Sequence, residues 1–339
     1  MAFEITGTGR ALPPQRVTND DLAKKIDTSD EWIRSHTGIG ARHIAADDVT
    51  CSDLALEAAR QALAMAEPDR SPEEAALSLD FIVLATVTAE FLGTPSTACI
   101  LQNKLGAKRA GAMDITAGCT GFIYALETAA GLLALDNNKK RALVIASELL
   151  TRVTDWTDRG SCVLFGDGAG AVVLEKTAAP REGTGRRGLI RTVLRADGSG
   201  AEFLVIDRSG TKNPFKAGET VEKPIHIAMN GQAVYNFAVK AVTDTILDIL
   251  SLEGINLNDV ALIIPHQANA RIVQAAAKRL KIPEAKFYLN IEEYANTSAA
   301  SIPIALDELN RAGKLKTGDL VLFVGFGGGL TYGANLIVW

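Results

Sequence analysis

Three residues in this sequence combine a reactive or polar type with a setting suited to nucleophilic chemistry: Cys119, His266 and Asn296. Cys119 sits in DITAGCTGFIYAL, where Ala117, Gly118 and Gly121 permit a tight strand-to-helix turn. A thiol at such a turn faces free amide N–H groups and the positive end of the helix dipole, and both favour thiolate. An ordinary thiol, with a pKa of about 8.5, is only about 3% ionised at pH 7; lowering it by ~1.5 units makes it half ionised, a shift of roughly 2 kcal/mol. The setting predicts a nucleophile, although a small buried hydrophobe is the other use of a free cysteine. His266, in IIPHQANARI, is delivered by an apolar strand whose ladder Pro265 ends. A lone histidine there can also be a satisfied structural residue. Asn296, in YANTSAAS, can cap the next helix, but Thr297 and Ser298 can do so too, which leaves Asn296 free for another task.

The other candidates are weaker. Cys51, Cys99 and Cys162 lack a turn of this kind, and His36, His43 and His226 have less distinctive neighbours. GFGGGLTYG (325–333) lets backbone N–H groups approach a ligand or form a strained turn, but no GK[ST] follows as a phosphate loop requires. FGDGAGAVVL (165–174) is followed by strand-like residues instead of a helix, which argues against a dinucleotide fingerprint.

Alternating elements must position these residues. DFIVLATVT (80–88), AGAMDITAG (110–118), RALVIASEL (141–149) and GAGAVVLEK (168–176) read as strands; TPSTACILQNKLGA (94–107) and CTGFIYALETAAGLLAL (119–135) read as helices. The order repeats. VALIIPHQAN (260–269), AKFYLNIEEYA (285–295), DLVLFVGFGGG (319–329) and TYGANLIVW (331–339) are strand-like, while ARIVQAAAKRLKI (270–282) and TSAASIPIALDELNRAG (297–313) are helical. The pattern predicts an α/β fold with largely parallel sheets, built by duplication of a large unit: an N-terminal half, 1–180, holding the cysteine, and a C-terminal half, 181–339, holding the histidine and asparagine. The joint falls in KTAAPREGTGRRG (176–188), and about 195–224 reads as a loop-rich insertion suited to substrate contacts. Cys119 and Asn296 then occupy equivalent strand-to-helix positions. With His266 they meet at the C-terminal edge of the strands, where open α/β folds place their chemistry.

Composition excludes several classes. With 47% hydrophobic and 22% charged residues among 339, the chain is an ordinary globular protein. A net charge of −5 argues against a strongly basic nucleic-acid binder. No apolar run reaches the roughly 18 residues of a membrane span, and MAFEITGTGRALP lacks the features of a signal peptide. Four cysteines without a CxxC pair read as thiols of a reducing compartment, which predicts a cytoplasmic protein. Four histidines, none at metal-ligand spacing, predict no metal site.

Six segments in order narrow the reading: TSDEWIRSHTGI, DITAGCTGFIYAL, TDRGSCVLFGDGAGAVVL, PHQANARIV, NTSAASIPIALDEL and GFGGGLTYG. Together they resemble the β-ketoacyl-acyl-carrier-protein synthase III family of the thiolase superfamily, and they run from residue 28 to residue 333. The resemblance implies a thiolase-like five-layered α-β-α-β-α fold, a homodimer, and condensation of an acyl-CoA primer, most simply acetyl-CoA, with malonyl-acyl carrier protein. It implies no cofactor beyond the coenzyme A thioester as substrate, and no metal. Cys119 would be the acylated nucleophile, and His266 and Asn296 would assist malonyl decarboxylation. The amides of Cys119 and Gly328 would form the oxyanion hole, with Phe326 flanking the site. Trp32 and Arg159 would hold the adenine of coenzyme A, and Arg271, Lys278 and Arg279 would receive the acidic carrier protein; a solvated helix face is the plainer use of those three charges.

Two positions depart from the family pattern. His36 replaces an arginine common in the region that contacts coenzyme A. Thr94, before Pro95, stands where acetyl-selective members carry phenylalanine across the dimer interface, which implies room beyond acetyl unless Phe91 or Leu92 refills the space. Papain-like proteases share the order Cys, His, Asn, but their local cysteine signature is missing and the α/β alternation disagrees. A relative that primes a polyketide or transfers longer acyl groups is the other reading. A non-catalytic carrier-binding subunit would be expected to lose the cysteine.

Overall fold

Strands buried on both faces are written as near-continuous runs of Val, Ile, Leu and Ala. The computed structural model of the chain describes residues 1–178, 185–207, 210–216, 218 and 225–339. In it such runs form two sheets. The first holds β1 (Ala2–Ala11), β2 (Phe81–Ala85), β3 (Gly111–Ile115), β4 (Arg141–Leu149) and β5 (Asp167–Thr177), in the order β1-β5-β4-β2-β3. The second holds β6 (Gly188–Ala196), β7 (Leu262–Pro265), β8 (Leu320–Gly327) and β9 (Thr331–Val338), in the order β7-β8-β9-β6.

Seven helices matter here: α1 (Asp30–Thr37), α2 (Cys51–Ala66), α3 (Thr97–Leu105), α4 (Gly121–Leu135), α5 (Gly231–Glu253), α6 (Ala270–Leu280) and α7 (Ser301–Arg311). The two-residue side-chain period of a strand assigns them to layers. Val83 and Val144 share a core with Phe122 of α4, Ile302 of α7, and Val321 and Phe323 of the second sheet, so α4 and α7 lie between the sheets. The alternate residues Ile82 and Leu143 pack outward against Ala58 of α2 and Leu101 of α3. Leu322 and Leu336 pack outward against Ile246 of α5 and Val273 of α6. The result is the five-layered α-β-α-β-α arrangement.

The two sheets repeat one topology. β2 runs parallel to β4, β4 antiparallel to β5, and β5 antiparallel to β1. Likewise β7 runs parallel to β8, β8 antiparallel to β9, and β9 antiparallel to β6. The sheets are therefore mixed, not largely parallel as the alternation suggested. The counterpart of β3 is a single bridge between Ile263 and Phe287, so 285–295 is not a strand, and Ile291–Tyr294 is helical. The cause is local: Gln267 Nε2 donates to the Tyr288 carbonyl (2.9–3.1 Å to its two carbonyl partners) and Gln267 Oε1 accepts from Asn290 N–H (3.1 Å), so a side chain stands in for the ladder.

The segment Gly118–Leu135 has the length and mean hydropathy (1.4) of a membrane span, though Glu127 and three other polar or hydroxyl-bearing residues interrupt its apolar run. Its composition follows from its place in the inner layer, with a sheet on either side. The boundary expected at 180/181 lies outside the described residues. Of the expected insertion, Leu204–Ile206 forms a strand paired with Ile227–Met229.

Candidate active site

The turn at Cys119 is held by two glycine stretches pressed together. Gly118 has φ +56°, a left-handed conformation that suits glycine, and a Cβ on it would lie 2.7 Å from Gly328 N. A Cβ on Gly327 would lie 2.4 Å from Cys119 N. Only bare backbone fits, and the amides of Cys119 and Gly328 consequently share one wall. Gly170 performs a different task in FGDGAGAVVL: its missing Cβ lets α7 rest on β5, with Ile304 N 2.8 Å from where that atom would sit. A cavity of about 450 Å³ opens at Cys119, lined by Gly118, Ser298 and Gly328 and by the apolar Val87, Leu204 and Ile206.

His266 follows directly on β7, and its amide still donates to the Val324 carbonyl (2.8 Å) after Pro265. Its ring stands edge-on to Phe326, with centroids 5.5 Å apart. Nδ1 lies 2.8 Å from Ser301 Oγ. Ser301 Oγ–H donates to the Ser298 carbonyl (2.9 Å), so its lone pair must accept from Nδ1–H. That assigns the Nδ1–H tautomer and leaves Nε2 as an acceptor. Burial pushes the imidazole pKa down to about 3, so the ring is neutral.

Asn296 is pinned by its backbone: its N–H donates to the Leu164 carbonyl and its carbonyl accepts from Gly166 N–H, both at 3.0 Å. Its Oδ1 accepts from Ser298 N–H (2.8 Å). Asn296 is thus the residue that closes this turn, while the hydroxyls of Thr297 and Ser298 cap nothing, the reverse of the sequence expectation. A side-chain oxygen two residues ahead of an amide forms a tight ring, and Ser298 itself sits at φ +49°. Orienting Oδ1 in this way reserves the Asn296 Nδ2 donors for the site.

The resting state of Cys119 differs from expectation. Burial pushes its thiol up to about 12, and the charge of the nearby Glu148 acts in the same direction, against the lowering contact from Ser298. These effects hold the resting thiol of the half-buried Cys119 above its ordinary value. Two residues missed in the sequence stand at this point. Glu148, on β4, is fully buried, and Ser298 meets the thiol, the His266 ring and the Glu148 carboxyl. A single acidic residue inside the apolar run RALVIASEL was the available signal.

The peripheral residues fall in three places. Arg159 lies over the ring of Trp32 at 4.2 Å, and His36 stacks on the same ring at 4.5 Å. On α6, Arg271, Lys278 and Arg279 are exposed, and Arg279 faces Asp244 at 3.5 Å. Asn269, the cap of α6, donates through Nδ2 to the His36 carbonyl (3.0 Å), which joins this basic helix to the Trp32 helix. Thr94 is exposed on the loop after β2 and does not line the Cys119 cavity of its own chain. No group of three or more His, Cys, Asp or Glu among the described residues is placed to hold a metal.

A duplicated sheet pair around shared helices, with a thiol at an inner helix start and a histidine and an asparagine brought to it, defines a thiolase-fold acyltransferase. The family description 3-oxoacyl-[acyl-carrier-protein] synthase III matches residues 113–206, and its C-terminal part matches residues 250–339. A β-ketoacyl-[acyl-carrier-protein] synthase III of Clostridium perfringens is 50% identical over 335 residues, covering 98% of each chain. The crystal structure of 3-oxoacyl-[acyl-carrier-protein] synthase III from Aquifex aeolicus superposes with a TM-score of 0.87 at 43% identity and full coverage of both chains. The priming β-ketosynthase of the R1128 polyketide pathway superposes at 0.89 but is 32% identical, covering 99% of this chain and 96% of its own. The chain belongs to the β-ketoacyl-acyl-carrier-protein synthase III family.

Proposed function

We propose that this enzyme condenses an acyl-CoA primer with malonyl-acyl carrier protein, giving 3-ketoacyl-carrier protein, coenzyme A and carbon dioxide, the step that opens fatty acid synthesis. The observation that carries this reading is the meeting of Cys119, His266 and Asn296 around Ser298 beside the amides of Cys119 and Gly328. Cys119 attacks the primer thioester and holds the acyl group. The two amides donate to the tetrahedral oxyanion, each such donor being worth roughly 3 kcal/mol. Decarboxylation of the malonyl group then builds negative charge on its thioester oxygen. Asn296 Nδ2 donates to that oxygen, and His266, neutral throughout, donates beside it in its Nε2–H tautomer, in which the Ser301 hydroxyl turns its proton from the Ser298 carbonyl to Nδ1. The carbanion attacks the acyl-Cys119 carbonyl, and loss of carbon dioxide makes the step hard to reverse. No resident cofactor or metal enters these steps.

Acetyl-CoA is the simplest primer. The apolar lining from Val87, Leu204 and Ile206 favours acceptance of longer chains as well, in keeping with Thr94 in place of a bulkier residue. Turnover of a primer panel from acetyl-CoA to octanoyl-CoA tests this; strict acetyl selectivity contradicts it. Trp32 and Arg159 are read as the adenine clamp, with Arg159 moving off the ring to admit the base. Arg271, Lys278 and Arg279 are read as the seat of the acidic carrier. Exposed Phe91 and Leu92, beside Thr94, support a homodimer in which a second copy covers this loop. Four unpaired cysteines suit a cytoplasmic setting.

Production of 3-ketoacyl-carrier protein by the purified chain from acetyl-CoA and malonyl-carrier protein tests the whole reading. Peptidase activity or plain acyl transfer without carbon–carbon bond formation would contradict it.

A further inference from the structure

Glu148 is a fully buried acid that the steps above do not use. Its Oε2 accepts three hydrogen bonds, from Val87 N–H (3.0 Å), Thr88 Oγ1 (2.8 Å) and Thr86 Oγ1 (3.1 Å). Its Oε1 is buried with no partner of ordinary hydrogen-bond length, and so is Ser298 Oγ. Ser298 and Cys119 line the same cavity, and Ser298 lowers the proton affinity of both the Glu148 carboxyl and the Cys119 thiol. Unpaired buried polar atoms are costly, and here two of them, one on a carboxyl and one on a hydroxyl, stand near the same thiol.

We propose that Glu148, acting through the Ser298 hydroxyl, accepts the proton of the Cys119 thiol as the sulfur attacks the acyl-CoA carbonyl. The inference rests on the reading of Cys119 as the acylated nucleophile. The thiol proton passes to Ser298 Oγ while the Ser298 hydroxyl proton passes to Glu148 Oε1. The new C–S bond forms to Cys119, the C–S bond to coenzyme A breaks, and the proton returns along the same line to the departing sulfur. Protons and charge balance, and Glu148 ends ionised as it began.

The alternative acceptor is His266, and the two environments decide between them. Burial pushes His266 down to about 3, whereas burial holds Glu148 up at about 7 against its three donors. Burial thus disfavours a proton on His266 and favours one on Glu148, which makes the carboxylate the better acceptor. With the thiol near 12 the transfer is uphill at rest, so the thiolate forms only as the carbonyl is attacked. The other titratable group facing Glu148 is Cys51 at the start of α2. Its Sγ points to the Ser147 carbonyl (3.3 Å), burial keeps it neutral at about 12, and Asp114 on β3 adds to that shift.

The test is single-turnover acylation by acetyl-CoA, followed by intact mass between pH 5 and 9, in wild type, Glu148→Gln and Ser298→Gly. Wild type should accelerate about tenfold per pH unit as Glu148 ionises and level off above about 7. Glu148→Gln should acylate about 100-fold more slowly at pH 7 and show no break there, its rate climbing instead toward the ionisation of the thiol itself. Ser298→Gly keeps the carboxylate, its three donors and a left-handed residue, and should show the same loss, so it carries the test if Glu148→Gln fails to fold. Variants that acylate at wild-type rate with the break near pH 7 intact would overturn the relay. A wild type that never acylates would overturn the reading of Cys119 itself.

Discussion

His266 Nδ1 and Ser301 Oγ lie 2.8 Å apart, and at rest the Ser301 proton goes to the Ser298 carbonyl. This pair sets the resting imidazole tautomer and binds the histidine strand to the asparagine turn. It also separates the two half-reactions. Cys119→Ala should abolish acylation, whereas His266→Ala should still take up the primer acyl group yet lose condensation by about 100-fold or more. Acyl-enzyme by mass and product from malonyl-carrier protein, measured on one preparation, check this. Normal condensation by His266→Ala would contradict the role given to the ring.

Asn296 both closes a turn and presents a donor, and one substitution separates these tasks. Asn296→Asp keeps an oxygen for Ser298 N–H but replaces the donor with an anion. It should melt close to wild type, acylate, and condense about 100-fold more slowly. Asn296→Ala should also lose stability, by about 1 kcal/mol, because the Ser298 amide is left without its partner. Thermal melts alongside turnover distinguish the two.

Close backbone approach at the oxyanion wall gives a steric prediction. Gly327→Ala puts a methyl group 2.4 Å from Cys119 N, so either the turn or the glycine loop must move. Acylation should fall by about 100-fold or more even though Cys119, His266 and Asn296 are all present. Retention of full acylation would show that these amides do not serve the oxyanion.

The buried histidine carries a stability signature. Its pKa is about 3 in the folded protein against an ordinary 6.5, so the unfolded chain binds its proton first as pH falls. Stability from this group is therefore complete above about 6.5 and drains away toward pH 3, at about 1.4 kcal/mol per pH unit. His266→Gln should flatten that slope in denaturant melts taken between pH 4 and 7.

Much of this was legible in the residues because both sheets and inner helices are written in unbroken apolar runs; RALVIASEL became β4 residue for residue. Cys119 and His266 were singled out by turn chemistry and element order, whereas Gly328 was named only through the family resemblance. The long α5 helix and the β6 strand were not assigned, since their apolar positions alternate with surface residues and no motif marks them. The thiol's state was misread for a physical reason: sequence shows the helix start that favours an anion, but not the burial and the Glu148 charge that oppose it. Ser298 escaped notice because its importance comes from three-dimensional contacts with Cys119, Glu148 and His266, none of them its neighbours in sequence.

Carrier docking should follow charge geometry on α6. Arg271→Glu and Lys278→Glu should raise KM for malonyl-carrier protein several-fold and steepen with falling salt, without altering acylation by acetyl-CoA. Arg279→Glu should have the added cost of facing Asp244, seen as a lower Tm. Equal effects of all three on malonyl-CoA as extender would contradict a carrier-specific surface.

The central claim is that the sulfur of residue 119 becomes the thioester of the starter unit. Intact-mass measurement of the purified chain after incubation with acetyl-CoA tests it most directly. The account predicts one acetyl group per chain on wild type and none on Cys119→Ala. An unmodified wild type across the primer panel, or an adduct that persists in Cys119→Ala, would contradict it.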